Sequence, residues 1–275
     1  MSEQHRSELG RSELGRSEPG RSEPGSPEQR RAELADGLNE VWARIEAACA
    51  AAGRSRDEIT LIAVTKTWPA SDVRLLYELG QRDFGENRDQ EAAPKAAACA
   101  DLDLTWHFVG QLQTNKVASV IRYADVIHSV DRLRLVHALG RAARRRPRPL
   151  TALIQVSLEG PDGDPGRGGA APGAVTGLAQ AIVAENGTDG GTAGRATGGG
   201  GLRLGGVMAV APLGVPAARA FAGLDAAAAA VRAVQPAATM ISAGMSADLE
   251  AAVEAGATHL RIGTALLGDR RARVM

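Results

Sequence analysis

The chain has 275 residues, 44% of them hydrophobic and only 3% aromatic, and its 32 Lys and Arg balance 32 Asp and Glu to a formal net charge of zero. Without a basic field or a stacking surface, general nucleic-acid binding is excluded, and no apolar run is long enough for a bilayer-spanning helix. The polar, charged N-terminus lacks the pattern of a secretory signal, so a cytoplasmic protein is expected.

Residues 6–25 are pentapeptides, Arg-Ser-Glu-Leu-Gly twice and Arg-Ser-Glu-Pro-Gly twice. A glycine every fifth residue and almost no apolar side chains predict a disordered low-complexity tail over 1–27, which leaves 28–275 as one domain. From Pro27 to Ala52, Leu34, Leu38, Val41, Ile45 and Ala48 recur at helical spacing and Gly53 ends the run. Residues 59–64 are then an apolar, β-branched run with Thr60 as its one polar side chain, the pattern of a strand buried on both faces of a parallel sheet. Trp68-Pro69 stops it, and Val73, Leu75, Leu76 and Leu79 predict a helix closed by Gly80.

The alternation continues. Further strands are predicted at 82–85, 104–109, 125–128, 150–157, 202–210, 238–241 and 258–262, with helices such as 87–99, 113–123, 131–144, 216–234 and 246–255 between them. The Pro/Gly-rich loop 160–173 and the Gly/Thr-rich segment 185–201 interrupt the pattern, the second as a flexible insertion. Strand-then-helix units repeated eight times predict an α/β fold, a single (β/α)8 TIM barrel with an extra N-terminal helix. An open doubly wound sheet is the alternative, because periodicity does not prove closure. Cys49 and Cys99 lie far apart in Ala-rich helical segments and read as small buried hydrophobes. The arginines of 141–148 read as a solvated helix end that complements the dipole.

Lys66 stands just past the strand 59–64. The chain has only three lysines, Lys66, Lys95 and Lys116, so nearly every other positive charge is written as arginine. An amine forms a Schiff base with a carbonyl, whereas a guanidinium stays protonated and is not nucleophilic. The plainer reading is a lysine snorkelling from the rim of a core strand. His107 and His128 fall near strand ends without metal-ligand spacing, and neither is assigned a catalytic role.

Seven motifs occur in one order: Ala-Val-Thr-Lys-Thr (63–67), Phe-Gly-Glu-Asn (84–87), Trp-His-Phe-Val-Gly-Gln-Leu-Gln-Thr-Asn-Lys (106–116), Ile-His-Ser-Val-Asp (127–131), Gly-Val-Met-Ala-Val-Ala-Pro-Leu (206–213), Ser-Ala-Gly-Met-Ser-Ala-Asp (242–248) and Arg-Ile-Gly-Thr-Ala-Leu-Leu-Gly (261–268). Together they resemble the pyridoxal phosphate homeostasis protein family, whose fold is similar to the N-terminal barrel of alanine racemase. The resemblance implies binding of pyridoxal 5′-phosphate (PLP), with Lys66 carrying its aldehyde as a Schiff base. It also implies Asn87 near the ring substituents, Arg261 facing the pyridine nitrogen, and the phosphate at the loops after strands seven and eight. Those loops, Ser242-Ala243-Gly244-Met245-Ser246 and Gly263-Thr264, supply glycine, hydroxyls and backbone N–H groups, the chemistry an anionic phosphate needs. The family's Lys-Ser-Gly-like turn after strand five is replaced by Arg167-Gly168-Gly169, so no ligand contact is assigned there.

A protonated arginine beside the ring nitrogen disfavours its protonation and makes the cofactor a poorer electron sink. A two-base racemase also needs a second proton acceptor, which the resemblance places on a tyrosine of an additional domain. Here Tyr77 and Tyr123 fall in predicted helices and the chain ends at Met275. The expectation is a non-catalytic, monomeric PLP carrier serving PLP-dependent apo-enzymes, with an amino-acid racemase as the alternative.

Overall fold

A computed structural model describes residues 26–159, 168–186, 200–212, 214–216, 219 and 221–268. The pentapeptide repeats, Arg167 and most of the 185–201 insertion lie outside the described residues. The chain opens on α1 (Pro27–Ala51), with the Ser26 hydroxyl accepting from the Gln29 N–H as N-cap and Pro27 in the first turn, where its missing N–H costs nothing. Pro27, assigned above to the tail, is therefore already helical. Leu34, Leu38, Val41, Ile45, Ala48 and Cys49 form the buried stripe of α1. Each large aliphatic side chain in it contributes about 1.5–3 kcal/mol by leaving water.

Eight parallel strands follow: β1 (Thr60–Val64), β2 (Asp83–Glu86), β3 (Thr105–Phe108), β4 (Val126–Val130), β5 (Leu150–Gln155), β6 (Leu202–Met208), β7 (Met240–Ser242) and β8 (His259–Ile262). Each pairs with the next, and β8 returns to β1 through Thr60↔His259, Leu61↔Leu260, Ile62↔Arg261 and Ala63↔Ile262. The barrel is closed, which removes the open-sheet alternative. The helices between the strands are α2 (Ala70–Glu78), α3 (Asp89–Ala98), α4 (Val117–Val120), α5 (Leu133–Ala143), α6 (Val175–Ala184), α7 (Leu224–Val234), α8 (Leu249–Glu254) and, after the last strand, α9 (Thr264–Leu267).

Most element boundaries move by a residue or two from the sequence reading. The helix expected at 113–123 instead divides into a 3-10 turn, Thr114–Lys116, and the single turn of α4. Of the helix expected over 216–234, the continuous described span is Leu224–Val234, after Gly223 at φ 89°. In β6, Gly206 has φ 149°, and a Cβ there would stand 1.9 Å from the Met240 carbonyl oxygen, so only glycine lets β7 approach. The β5–β6 register slips at this point, from Ala152↔Leu204 to Leu153↔Gly206.

Strand alternation sorts the side chains into two layers. Leu61, Ala63, Phe84, Trp106, Phe108, Ile127, Ile241, Leu260 and Ile262 join the large core between barrel and helices, with Cys49 and Cys99, both free and buried. The inner layer combines the apolar Val126, Leu153 and Met208 with His107, His128, Ser242 and Arg261, all buried. The arginine run at the end of α5 is partly structural rather than solvated. The Arg146 guanidinium donates to the Ala124 carbonyl and pairs with Asp125 at 3.3 Å, and Arg144 pairs with Glu185 at 2.9 Å.

Candidate functional site

A cavity of about 350 Å³ opens at the C-terminal ends of the strands, where barrel sites form, and its size is that of a small-molecule pocket. Lys66, Asn87, Met245, Ser246, Arg261, Gly263 and Thr264 line it, together with Val64, Trp68, Val109, Gly110, Val210, Ala247 and Gly268. Thus every residue expected at the site meets there except Ser242. That serine is the last residue of β7, fully buried, and bonded to Arg261 and His128 inside the barrel. The loop proper begins one residue later, which is why a sequence reading of Ser-Ala-Gly-Met-Ser placed both serines on one ligand.

Lys66 leaves β1 through a tight turn in which the Trp68 N–H donates to the Thr65 carbonyl at 3.0 Å. The next residue, Thr67, has φ 70°, unusual for any β-branched residue, and its N–H donates to Glu91 Oε2 at 3.1 Å. Thr67 is exposed, so its side chain returns little packing for the strain. Thr67→Gly is therefore expected to stabilise the fold by about 1 kcal/mol, the relieved strain less the chain entropy of glycine. A higher urea midpoint is the readout, and a lower one would overturn the assignment of strain.

Among the described residues the Lys66 amine has no hydrogen-bond or ion-pair partner. The other lysines are engaged. Lys95 is buried, donating to Glu86 and, at 2.6 Å, to the Thr65 carbonyl, while Lys116 lies 4.0 Å from Asp89 and does not line the cavity. Trp68 forms a wall held by α1, because the Arg30 guanidinium sits 4.5 Å over its ring while bonding Asp72 at 2.8 Å and the Leu267 carbonyl at 3.1 Å.

Opposite Lys66, the loops after β7 and β8 are braced to each other by the Ala265 N–H donating to Ser246 Oγ at 3.2 Å. The loop before α8 is closed by the Asp248 carboxylate, which accepts from the Met245 N–H at 2.5 Å. Gly244 turns this loop at φ 89°. Arg261 is 5% exposed and points into the barrel mouth, where Nη1 donates to Ser242 Oγ at 2.6 Å and Nη2 to the Ala209 carbonyl at 2.8 Å. Burial lowers its pKa to about 10, against the pull of Asp248, so it remains a cation at neutral pH.

With Lys66 and Arg261 on the walls and no carboxylate among the lining residues, the cavity suits an anion. Ser246 and Thr264 add hydroxyls to the same lining. An amine, two hydroxyls, glycine-rich backbone and a buried cation form the donor set that a phosphorylated aldehyde requires.

The Alanine racemase, N-terminal domain family matches residues 42–271. The chain is 42% identical to the pyridoxal phosphate homeostasis protein of Mycobacterium tuberculosis over 89% of this chain and 95% of that one. It is 37% identical to the protein of the same name from Escherichia coli, over 86% of this chain and 97% of the other.

The chain belongs to the pyridoxal phosphate homeostasis protein family.

Within this family, PipY of Synechococcus elongatus, solved with PLP bound, is 35% identical with a TM-score of 0.67, covering 86% of this chain and 100% of PipY. Alanine racemase from Corynebacterium glutamicum, at 14% identity and a TM-score of 0.59, shares the barrel fold alone. Sequence reasoning within the family's motifs missed the inner hydrogen bonds behind Arg261. Their signal was the inward strand parity of His107, His128, Ser242 and Arg261.

Proposed function

We propose that the protein binds PLP through a Schiff base on Lys66 and takes part in intracellular PLP homeostasis without catalysing a reaction of its own. The observation that carries this reading is the Lys66 amine, without a partner among the described residues, in a cavity that also presents Arg261, Ser246 and Thr264. Lys66 Nζ would add to the aldehyde carbon, a C=N bond would form, and the carbonyl oxygen would leave as water, with no change of oxidation state. Ser246, Thr264 and the backbone at Gly263 would hold the phosphate, Asn87 and Met245 would border the ring, and Arg261 would meet its nitrogen. When bound, PLP supplies an electrophilic carbon and an electron-accepting ring. Arg261, a cation that would stand beside that ring, would oppose the protonation that strengthens the acceptor.

The lining supports a carrier over a racemase. Apart from Lys66 and Arg261, the described cavity-lining residues include no carboxylate, imidazole, thiol or phenol, so a second base on the opposite face of a substrate is not supplied by these walls. Neither tyrosine lines the cavity, and Tyr123 is half-buried with its pKa raised by burial and by Asp89 and Glu86. A monomer in the cytoplasm handing PLP to apo-enzymes completes the proposal. No helix among the described residues is long and apolar enough to cross a membrane.

The test is the absorption spectrum of the protein with added PLP, wild type beside Lys66→Ala. A visible imine band in wild type and none in the variant is the expected result. Equal bands in both would move the linkage off Lys66, and no band in either would remove PLP. Conversion of an L-amino acid to its D-form, abolished by Lys66→Ala, would restore the racemase.

A further inference from the structure

Behind the cavity, buried polar side chains run in single file through the barrel. Arg261 Nη1 lies 2.6 Å from Ser242 Oγ, Ser242 Oγ 3.0 Å from His128 Nδ1, His128 Nε2 2.9 Å from His107 Nδ1, and His107 Nε2 2.9 Å from Asp83 Oδ1. The residues come from β8, β7, β4, β3 and β2, all from inward-facing strand positions. Both histidine rings are enclosed, His107 at 2% and His128 at 0% exposure, while the Asp83 side chain at the far end is 26% exposed.

The two ends set the direction of every bond between them. A guanidinium only donates and a carboxylate only accepts, whereas a hydroxyl or a neutral imidazole offers one proton and one lone pair in this geometry. Starting from Arg261, Ser242 accepts and passes its own O–H to His128 Nδ1. His128 then carries its proton on Nε2 and donates to His107 Nδ1, leaving His107 Nε2–H to donate to Asp83. Reversing the two imidazoles would set the bare Nε2 of His107 against the carboxylate at 2.9 Å, two acceptors in contact. Charging a ring would bury a cation in the barrel, and burial together with His107, Arg261 and His259 holds the His128 pKa well below its ordinary value.

We propose that His128, backed by His107 and Asp83, is a positioning residue that locks the Ser242 hydroxyl and through it fixes the Arg261 guanidinium at the cavity wall. Ser242 then belongs to the support of the arginine and not to the phosphate. The effect on bound PLP rests on the function proposed above; the polarity of the chain of bonds does not.

Two measurements on the full chain separate these. Nitrogen-15 NMR of the ligand-free protein at neutral pH is expected to show the His128 ring neutral with its proton on Nε2, and a proton on Nδ1 of His128 would overturn the proposal. PLP titrations of wild type, Ser242→Ala, Ser242→Thr and Arg261→Gln form the second. Ser242→Ala leaves a buried donor without its acceptor and is expected to weaken binding about tenfold, to shift the imine band in the same direction as Arg261→Gln, and to be rescued by Ser242→Thr. A band moved by Arg261→Gln but untouched by Ser242→Ala would overturn the positioning role. If the wild type takes up no PLP, the function proposed above fails, and the NMR result still decides the hydrogen-bonded chain.

Discussion

Lys95→Met is expected to cost the fold about 3–5 kcal/mol at pH 8, the penalty of leaving a carboxylate buried without its cation. Glu86 ends β2 on the outward side of the barrel, under α3, where its Oε1 accepts from Lys95 Nζ and, at 2.7 Å, from the Thr65 hydroxyl. Its Oε2 is buried and has no hydrogen-bond partner among the described residues. Burial raises the Glu86 pKa, opposed by Lys95 and Thr65, and removing Lys95 takes away the larger opposing influence. The folded state of the variant then holds a proton that the unfolded state releases. Stability from such a group is present below the unfolded carboxylate pKa and is lost as pH rises through the folded one. Urea unfolding at pH 5 and pH 8 should therefore show the smaller loss at pH 5, and Glu86→Leu added to Lys95→Met should recover most of it. A Lys95→Met protein within about 1 kcal/mol of wild type at pH 8 would mean that water, and not Lys95, solvates the carboxylate. The pair also bears on the site, since Lys95 holds the carbonyl of Thr65, the residue before Lys66.

That arrangement gives physical content to the unequal use of lysine and arginine. Arg30, Arg44, Arg54, Arg74 and Arg146 each pair with a carboxylate, and all but Arg44 also donate to a backbone carbonyl, joining elements far apart in sequence. A planar fork with five donors suits that task. The lysines instead cluster around the ends of β1, β2 and β3, one buried as a point charge, one against Asp89 and one without a partner among the described residues. Composition narrowed the candidates for an amine to three, and only Lys66 among them lines the cavity.

The barrel strands were legible because a strand buried on both faces writes itself as an apolar run, as in Leu61 to Val64 and Ala152 to Ile154. Helix ends were legible where glycine takes a left-handed conformation, as Gly53 and Gly80 do at φ 65° and 98°. α4 was overextended because Val117, Val120 and Ile121 carry a helical stripe, while the chain around Thr114 is held in a tighter turn whose hydrogen bonds leave no periodic trace. The bonds behind Arg261 were the least legible part. His107 and His128 are 21 residues apart and Ser242 lies 114 beyond His128, so only closure of the barrel brings them together. Each was read alone, and alone a strand histidine has no address.

Acidification from pH 7 to pH 4 is expected to remove about 3 kcal/mol of stability through His259 alone, from a fall of its pKa to about 4 against an ordinary 6.5. Burial is the main cause, followed by the neighbouring His107 and Arg261, with Asp83 opposing. The sign follows from proton counting. Between pH 6.5 and about 4 the unfolded chain binds a proton that folded His259 refuses, so stability rises with pH across this window and is lost on the way down. His128, held well below its ordinary value by complete burial, acts in the same direction. Glu86, with its raised pKa, acts in the opposite one, so the histidine contribution is isolated by difference. Urea midpoints measured from pH 7 to pH 4 should fall steeply in wild type and less steeply in His259→Gln, in which one of the two proton-refusing rings is gone. A wild-type midpoint that stays level between pH 7 and pH 5 would mean that the rings accept protons inside the barrel. The uncharged imidazoles that direct every bond from Arg261 to Asp83 would then be lost, and with them the fixed guanidinium at the cavity wall.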